Sequence, residues 1–95
     1  MYQVTIHHHD KDWRNGDLEY KFELIRQENF KTRKDAKDYI EGQLASQRGT
    51  IRMEWHKGDE PSYAWCWTGV KWQHENTGEM LEEYYQYTLK KVKLR

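Results

Sequence analysis

The chain has one cysteine and one proline in 95 residues. A lone Cys66 forms no disulfide within the chain, which excludes a cystine-stapled scaffold and suits a reducing compartment. Nothing approaches the roughly 20-residue apolar run needed to span a bilayer, and no N-terminal apolar segment has the form of a signal peptide. The expected location is therefore cytoplasmic. Charge of one sign is missing as well, since 16 Lys and Arg balance 16 Asp and Glu. Generic electrostatic binding to nucleic acid or to an acidic membrane normally needs a basic excess. The one basic cluster, Lys90-Lys91-Val92-Lys93-Leu94-Arg95, reads as a solvated strand end.

Aliphatic residues are scarce too: Leu, Ile, Val and Phe make up about one residue in six. With a high net charge that level would indicate disorder. Here the charge is balanced, and five Trp with seven Tyr supply the missing apolar area. Each aromatic side chain buries on the order of 150–250 Å², so a few of them replace a larger aliphatic set. The length corresponds to one domain, residues 1–95, with no internal repeat, low-complexity segment or linker.

Catalytic signatures are also missing. There is no Gly-x-Ser-x-Gly, no phosphate-cradling glycine loop, no Cys-x-x-Cys and no His-Glu-x-x-His. No enzyme is expected on these grounds, and no cofactor.

What is present is a strand rich in aromatics, Tyr63 to about His74. Alternation puts Tyr63, Trp65 and Trp67 on one face and Ala64, Cys66, Val70 and Trp72 on the other, so the strand belongs inside a sheet. Gly69 marks a bend, and Asn76-Thr77-Gly78 a turn. Upstream, residues 2–8 alternate with Tyr2, Val4, Ile6 and His8 on one face. The polar stretch His9 to Gly16 reads as a hairpin loop ending in Asn15-Gly16. The next strand runs from Asp17 to about Gln27, with Leu18, Tyr20, Phe22 and Leu24 predicted to be buried. Thr32 with Asp35 forms a variant capping box opening a helix to about Gln47, whose apolar stripe is Ala36, Tyr39, Ile40 and Leu44. Gly42 marks close packing or an early fray there. Residues 50–56 form a further strand, predicted to bury Ile51, Met53 and Trp55. A last strand spans roughly Glu82 to Leu94, and its change of apolar phase places a β-bulge near Lys90-Lys91.

The expected fold is α+β, in the order β-β-α-β-β-β: a five-stranded antiparallel sheet with one helix packed on one face. One helix covers one side only, while the aromatic strand is apolar on both. Exposed aromatic surface of more than a few hundred Å² usually marks an interface. The expected function is a small non-enzymatic protein-binding module that docks to or occludes a partner protein. Tyr63, Trp65, Trp67 and Arg52 form its surface, with Trp13 and Arg14 of the hairpin loop as a second locus. A homodimer through the aromatic face is a second way to cover it. A phage or mobile-element accessory protein that inhibits a host defence enzyme would have this size and character.

Two other readings compete. Single-stranded nucleic acid could stack on Tyr63, Trp65 and Trp67, with Arg52, Lys71 and the C-terminal lysines following phosphate. A small metal-dependent hydrolase or nuclease could be built on His7 and His9, which share a strand face, with Asp10, His56, Cys66, His74 and Glu75 as further groups. No metal site is predicted, and solvated histidines at a strand end are the expectation for this cluster.

Overall fold

A computed structural model of the chain describes residues 1–14, 16–68, 72–73 and 80–93; for residues 12–14, 18, 72–73 and 80–82 it describes the backbone. The elements are β1 (Tyr2–Arg14), β2 (Asp17–Phe30), α1 (Arg33–Ala45), β3 (Thr50–Glu54), β4 (Ser62–Trp67), the two-residue β5 (Trp72–Gln73) and β6 (Met80–Lys91). The main sheet is antiparallel in the order β2-β1-β6-β4-β3, and β5 pairs with β6 beyond the end of β4. This is the expected α+β sheet with one helix. The last strand in sequence is the central one in space.

β1 does not end at His8 but runs on to Arg14, which pairs with Asp17. The stretch read as a polar loop is therefore strand. Gly16 has φ 82°, as a two-residue hairpin turn demands; Asn15 lies outside the described residues. At about 3.4 Å per residue the 14-residue β2 accounts for most of the 49 Å long dimension of the molecule.

The bulge lies elsewhere than predicted. β6 pairs with β1 in one unbroken register from Tyr2↔Lys91 to Lys11↔Glu82, so the ladder carries no irregularity at Lys90-Lys91. Val92, whose change of phase suggested one, lies beyond the strand and donates its N–H to the Met1 carbonyl at 2.9 Å. The register shift falls instead in β1–β2, where Ile6 pairs with Arg26 and His7 with Leu24, leaving Ile25 as the extra residue. The predicted bend at Gly69 and turn at Asn76-Thr77-Gly78 lie outside the described residues.

Thr32 caps α1 with its hydroxyl oxygen, which accepts the Asp35 N–H at 3.1 Å. Ala36, Ile40 and Leu44 are buried against Val4, Ile6, Ala64, Cys66, Tyr87 and Leu89, so α1 covers the face of β4 that carries small side chains. Near the start of α1, Arg33 Nη2 donates to the His56 carbonyl at 2.6 Å. The His56 N–H in turn donates to the buried Ser62 hydroxyl at 2.8 Å, tying the entry of β4 to the helix. Gly42 marks neither close packing nor a fray: a methyl group there would meet nothing within 4 Å, and the helix continues to Ala45. Gly42→Ala is accordingly expected to raise stability by about 1 kcal/mol, read as a higher urea midpoint.

Two predicted buried sets are exposed in large part, and the Leu18 side chain lies outside the described side chains. α1 packs chiefly over β1, β2 and β6, and Ile51 and Met53 on the β3 edge stay exposed; of the three, Trp55 packs beside the core, with Lys37 Nζ 5.1 Å from its ring. Tyr20, Phe22 and Leu24 are 64%, 48% and 55% exposed, because they sit on the edge strand and on the side without a helix.

Candidate functional site

The ladder registers fix what the helix-free face carries. Across the sheet, one row reads Leu24, His7, Gln86, Trp65, Arg52, and the next reads Phe22, His9, Tyr84, Trp67, Thr50. Tyr63 lies one row further toward Thr5 and Thr88, and Tyr20 lies opposite Lys11 on the other side. The result is a belt of rings running from one edge of the sheet nearly to the other.

The rings are in contact along the belt. His7 stacks on Phe22 with centroids 4.5 Å apart and planes inclined by 3°. His9 stacks on Tyr84 at 4.2 Å and meets Tyr20 edge-on at 4.3 Å. Tyr84 continues to Trp67 at 5.6 Å, and Tyr63 stacks on Trp65 at 5.9 Å. Polar anchors hold Trp65: its indole N–H donates to Gln86 Oε1 at 3.2 Å, and the Arg52 guanidinium lies 5.7 Å from its ring centre. Arg52 is itself bound to Glu54 at 2.7 Å. Tyr63, Trp65 and Trp67 are half-buried.

Four of the six predicted binding residues, Tyr63, Trp65, Trp67 and Arg52, are thus brought together on one surface. Trp13 and Arg14 belong to the far end of β1, paired with Leu18 and Asp17, and not to a loop. The largest omission from the sequence reading is the histidine and tyrosine half of the belt. His9, read as solvated, is 1% exposed under Tyr20, Phe22 and Tyr84.

The groups proposed for metal or acid–base chemistry do not converge. His7 and His9 share the open face, as predicted from alternation, while Cys66 lies on the helix side in the row of His8 and Tyr85. His56 lies beyond the end of β3, near Glu54 and Glu60. His74 and Glu75 lie outside the described residues. Among the described residues no three His, Cys, Asp or Glu side chains are grouped to hold an ion. Burial pushes the Cys66 thiol up from its ordinary value, which keeps it protonated and unreactive.

Fold and face together define a class: an α+β domain with one sheet face closed by a helix and the other open as an aromatic platform. Compared with protein-family models, curated proteins and solved structures, the chain matches none. No described helix is long and apolar enough to cross a membrane.

Proposed function

We propose that this chain is a non-enzymatic protein-binding module whose working surface is the open aromatic face of its sheet, and that it acts by docking to, and occluding, a partner protein. The observation that carries this reading is the belt of contacting rings from Tyr20 through His9, Tyr84 and Trp67, with Trp65 and Tyr63 beside it, on a face that no described helix covers. Half-buried aromatic rings held rigid by neighbours lose little entropy on binding, and Trp and Tyr dominate the energetics of protein interfaces. Arg52, the cation beside the Trp65 ring, is already engaged by Glu54, and the chain has no net charge. Both features favour a protein over a polyanion. A role as a phage or mobile-element accessory, inhibiting a host enzyme, is compatible with this mode of action.

The test is capture of a partner by the wild-type chain and by Trp65→Ala, with Lys34→Ala on the exposed side of α1 as a control. Trp65→Ala is expected to weaken capture at least 30-fold with an unchanged circular dichroism spectrum, the size typical of an interfacial tryptophan. Equal capture by all three chains would sink the proposal. Binding to single-stranded oligonucleotides that weakens steeply with salt would replace it with the nucleic-acid reading.

A further inference from the structure

The exposed large hydrophobic residues among the described positions all lie on the two edge strands: Tyr20, Phe22, Leu24 and Ile25 on β2, Ile51 and Met53 on β3. On β2 the apolar residues alternate with Glu19, Lys21 and Glu23, so one face of the strand is apolar and the other charged. Among the described residues β2 pairs only with β1. In an antiparallel ladder every second residue turns its N–H and C=O away from its partner strand, and such an edge is a template for another strand. The usable stretch is bounded by the turn at Gly16 and by the bulge at Ile25.

We propose that this edge pairs with the same edge of a second copy of the chain, antiparallel, about a two-fold axis perpendicular to the sheet that passes midway between Phe22 and Phe22 of the partner subunit. What selects the partner is the order of charges. With Phe22 opposite Phe22 of the partner subunit, Lys21 faces Glu23 of the partner subunit, and the symmetry repeats that pair. On the open side Tyr20 then faces Leu24 of the partner subunit. Opposite charges across strands stabilise a pairing, and like charges directly opposed destabilise it. Centring the pair on Lys21 or on Glu23 sets that residue against itself. Centring on Tyr20 pairs Glu19 with Lys21 of the partner subunit but sets Asp17 against Glu23 of the partner subunit, and centring on Leu24 removes both Lys–Glu pairs and runs into the bulge. Of these registers, only the one centred on Phe22 pairs opposite charges without opposing like ones. Because the axis is perpendicular to the sheet, the product is one continuous ten-stranded sheet, with both helices on one side and the two aromatic belts joined on the other.

The measurement is light scattering after size-exclusion chromatography at chain concentrations up to roughly 1 mM, which reaches associations of the millimolar class. The wild-type chain is expected to reach twice its mass of 11.7 kDa. Lys21→Glu and Glu23→Lys, each alone, are expected to weaken dimerisation at least tenfold, since each turns both ion pairs into like-charge contacts. Far-UV circular dichroism would show both variants folded. Mixing the two variants in equal amounts restores both pairs and is expected to restore the dimer as a heterodimer. A wild-type chain that stays monomeric, a dimer indifferent to both substitutions, or a mixture that stays monomeric would overturn the proposal. So would a dimer lost in Trp65→Ala and kept in both charge variants, which would place the second copy on the aromatic face.

Discussion

Gly49→Ala is expected to lower the unfolding free energy by about 2–4 kcal/mol, more than any surface substitution in this chain. Gly49 has φ 145°, a conformation that side chains disfavour, and an added Cβ would fall inside the carbonyl oxygen of Trp67. That atom is backbone in the β4 ladder and has no rotamer to move to. Thr50, the next residue, pairs with Trp67, so any shift that relieves the clash pulls β3 off the sheet. A domain of this size has a total stability of roughly 5–15 kcal/mol, of which the loss is a large share. Urea unfolding followed by tryptophan fluorescence measures it. A midpoint equal to that of the wild type would show that the approach of Gly49 to Trp67 is not required.

Ile40→Ala carries an expected cost of about 2–5 kcal/mol, the range for truncating a buried aliphatic side chain. Ile40 is fully buried and is the largest such side chain among the described residues. It stands at the middle of the stripe Ala36, Ile40, Leu44, the only residues of α1 that are buried. In a core this poor in aliphatics, few flexible neighbours are available to fill the space, so the cost should fall in the upper half of the range. The check is the urea midpoint at unchanged slope. A cost below about 1 kcal/mol would mean that α1 is not the element that closes this side of the sheet.

The order of elements was legible in the sequence because each carried a local signal. Thr32 and Asp35 announced the helix, and the period of two between Ser62 and Trp67 announced the strand and separated its faces. What alternation does not say is which face is covered, or whether a strand lies at an edge. Tyr20, Phe22 and Leu24 were assigned to the core for that reason: their periodicity is that of a buried face, but the position of β2 at the rim depends on the final strand of the chain. The same long-range fact left Ile51 and Met53 exposed. The bulge at Ile25 was equally silent, since nothing in the sequence distinguishes Leu24-Ile25 from a continuous apolar strand.

Half of the aromatic belt could have been found. Counting back from a two-residue turn at Asn15-Gly16 pairs Arg14 with Asp17, and therefore His9 with Phe22 and Lys11 with Tyr20. Reading His9–Gly16 as a loop discarded that count. The charged residues there look like a loop by composition, although a hairpin end wetted on one face has the same composition. Tyr84 was out of reach by this route, because its place beside His9 follows from the β1–β6 register across more than 70 residues.

The central position of β6 bears on how the chain assembles. Its neighbours are β1 at the start of the chain and β4 late in it. Before residues 80–91 are available, the remaining strands form two separate hairpins, β1–β2 and β3–β4, with no ladder between them. Local pairing can proceed in each, but the core under α1 draws on both hairpins and on Tyr87 and Leu89 of the missing strand. Loop closure over such a span is slow, and an incomplete sheet leaves strand edges unpaired. During synthesis the sheet can therefore close only after residues 80–91 have emerged, because β6 is the strand that joins the two hairpins.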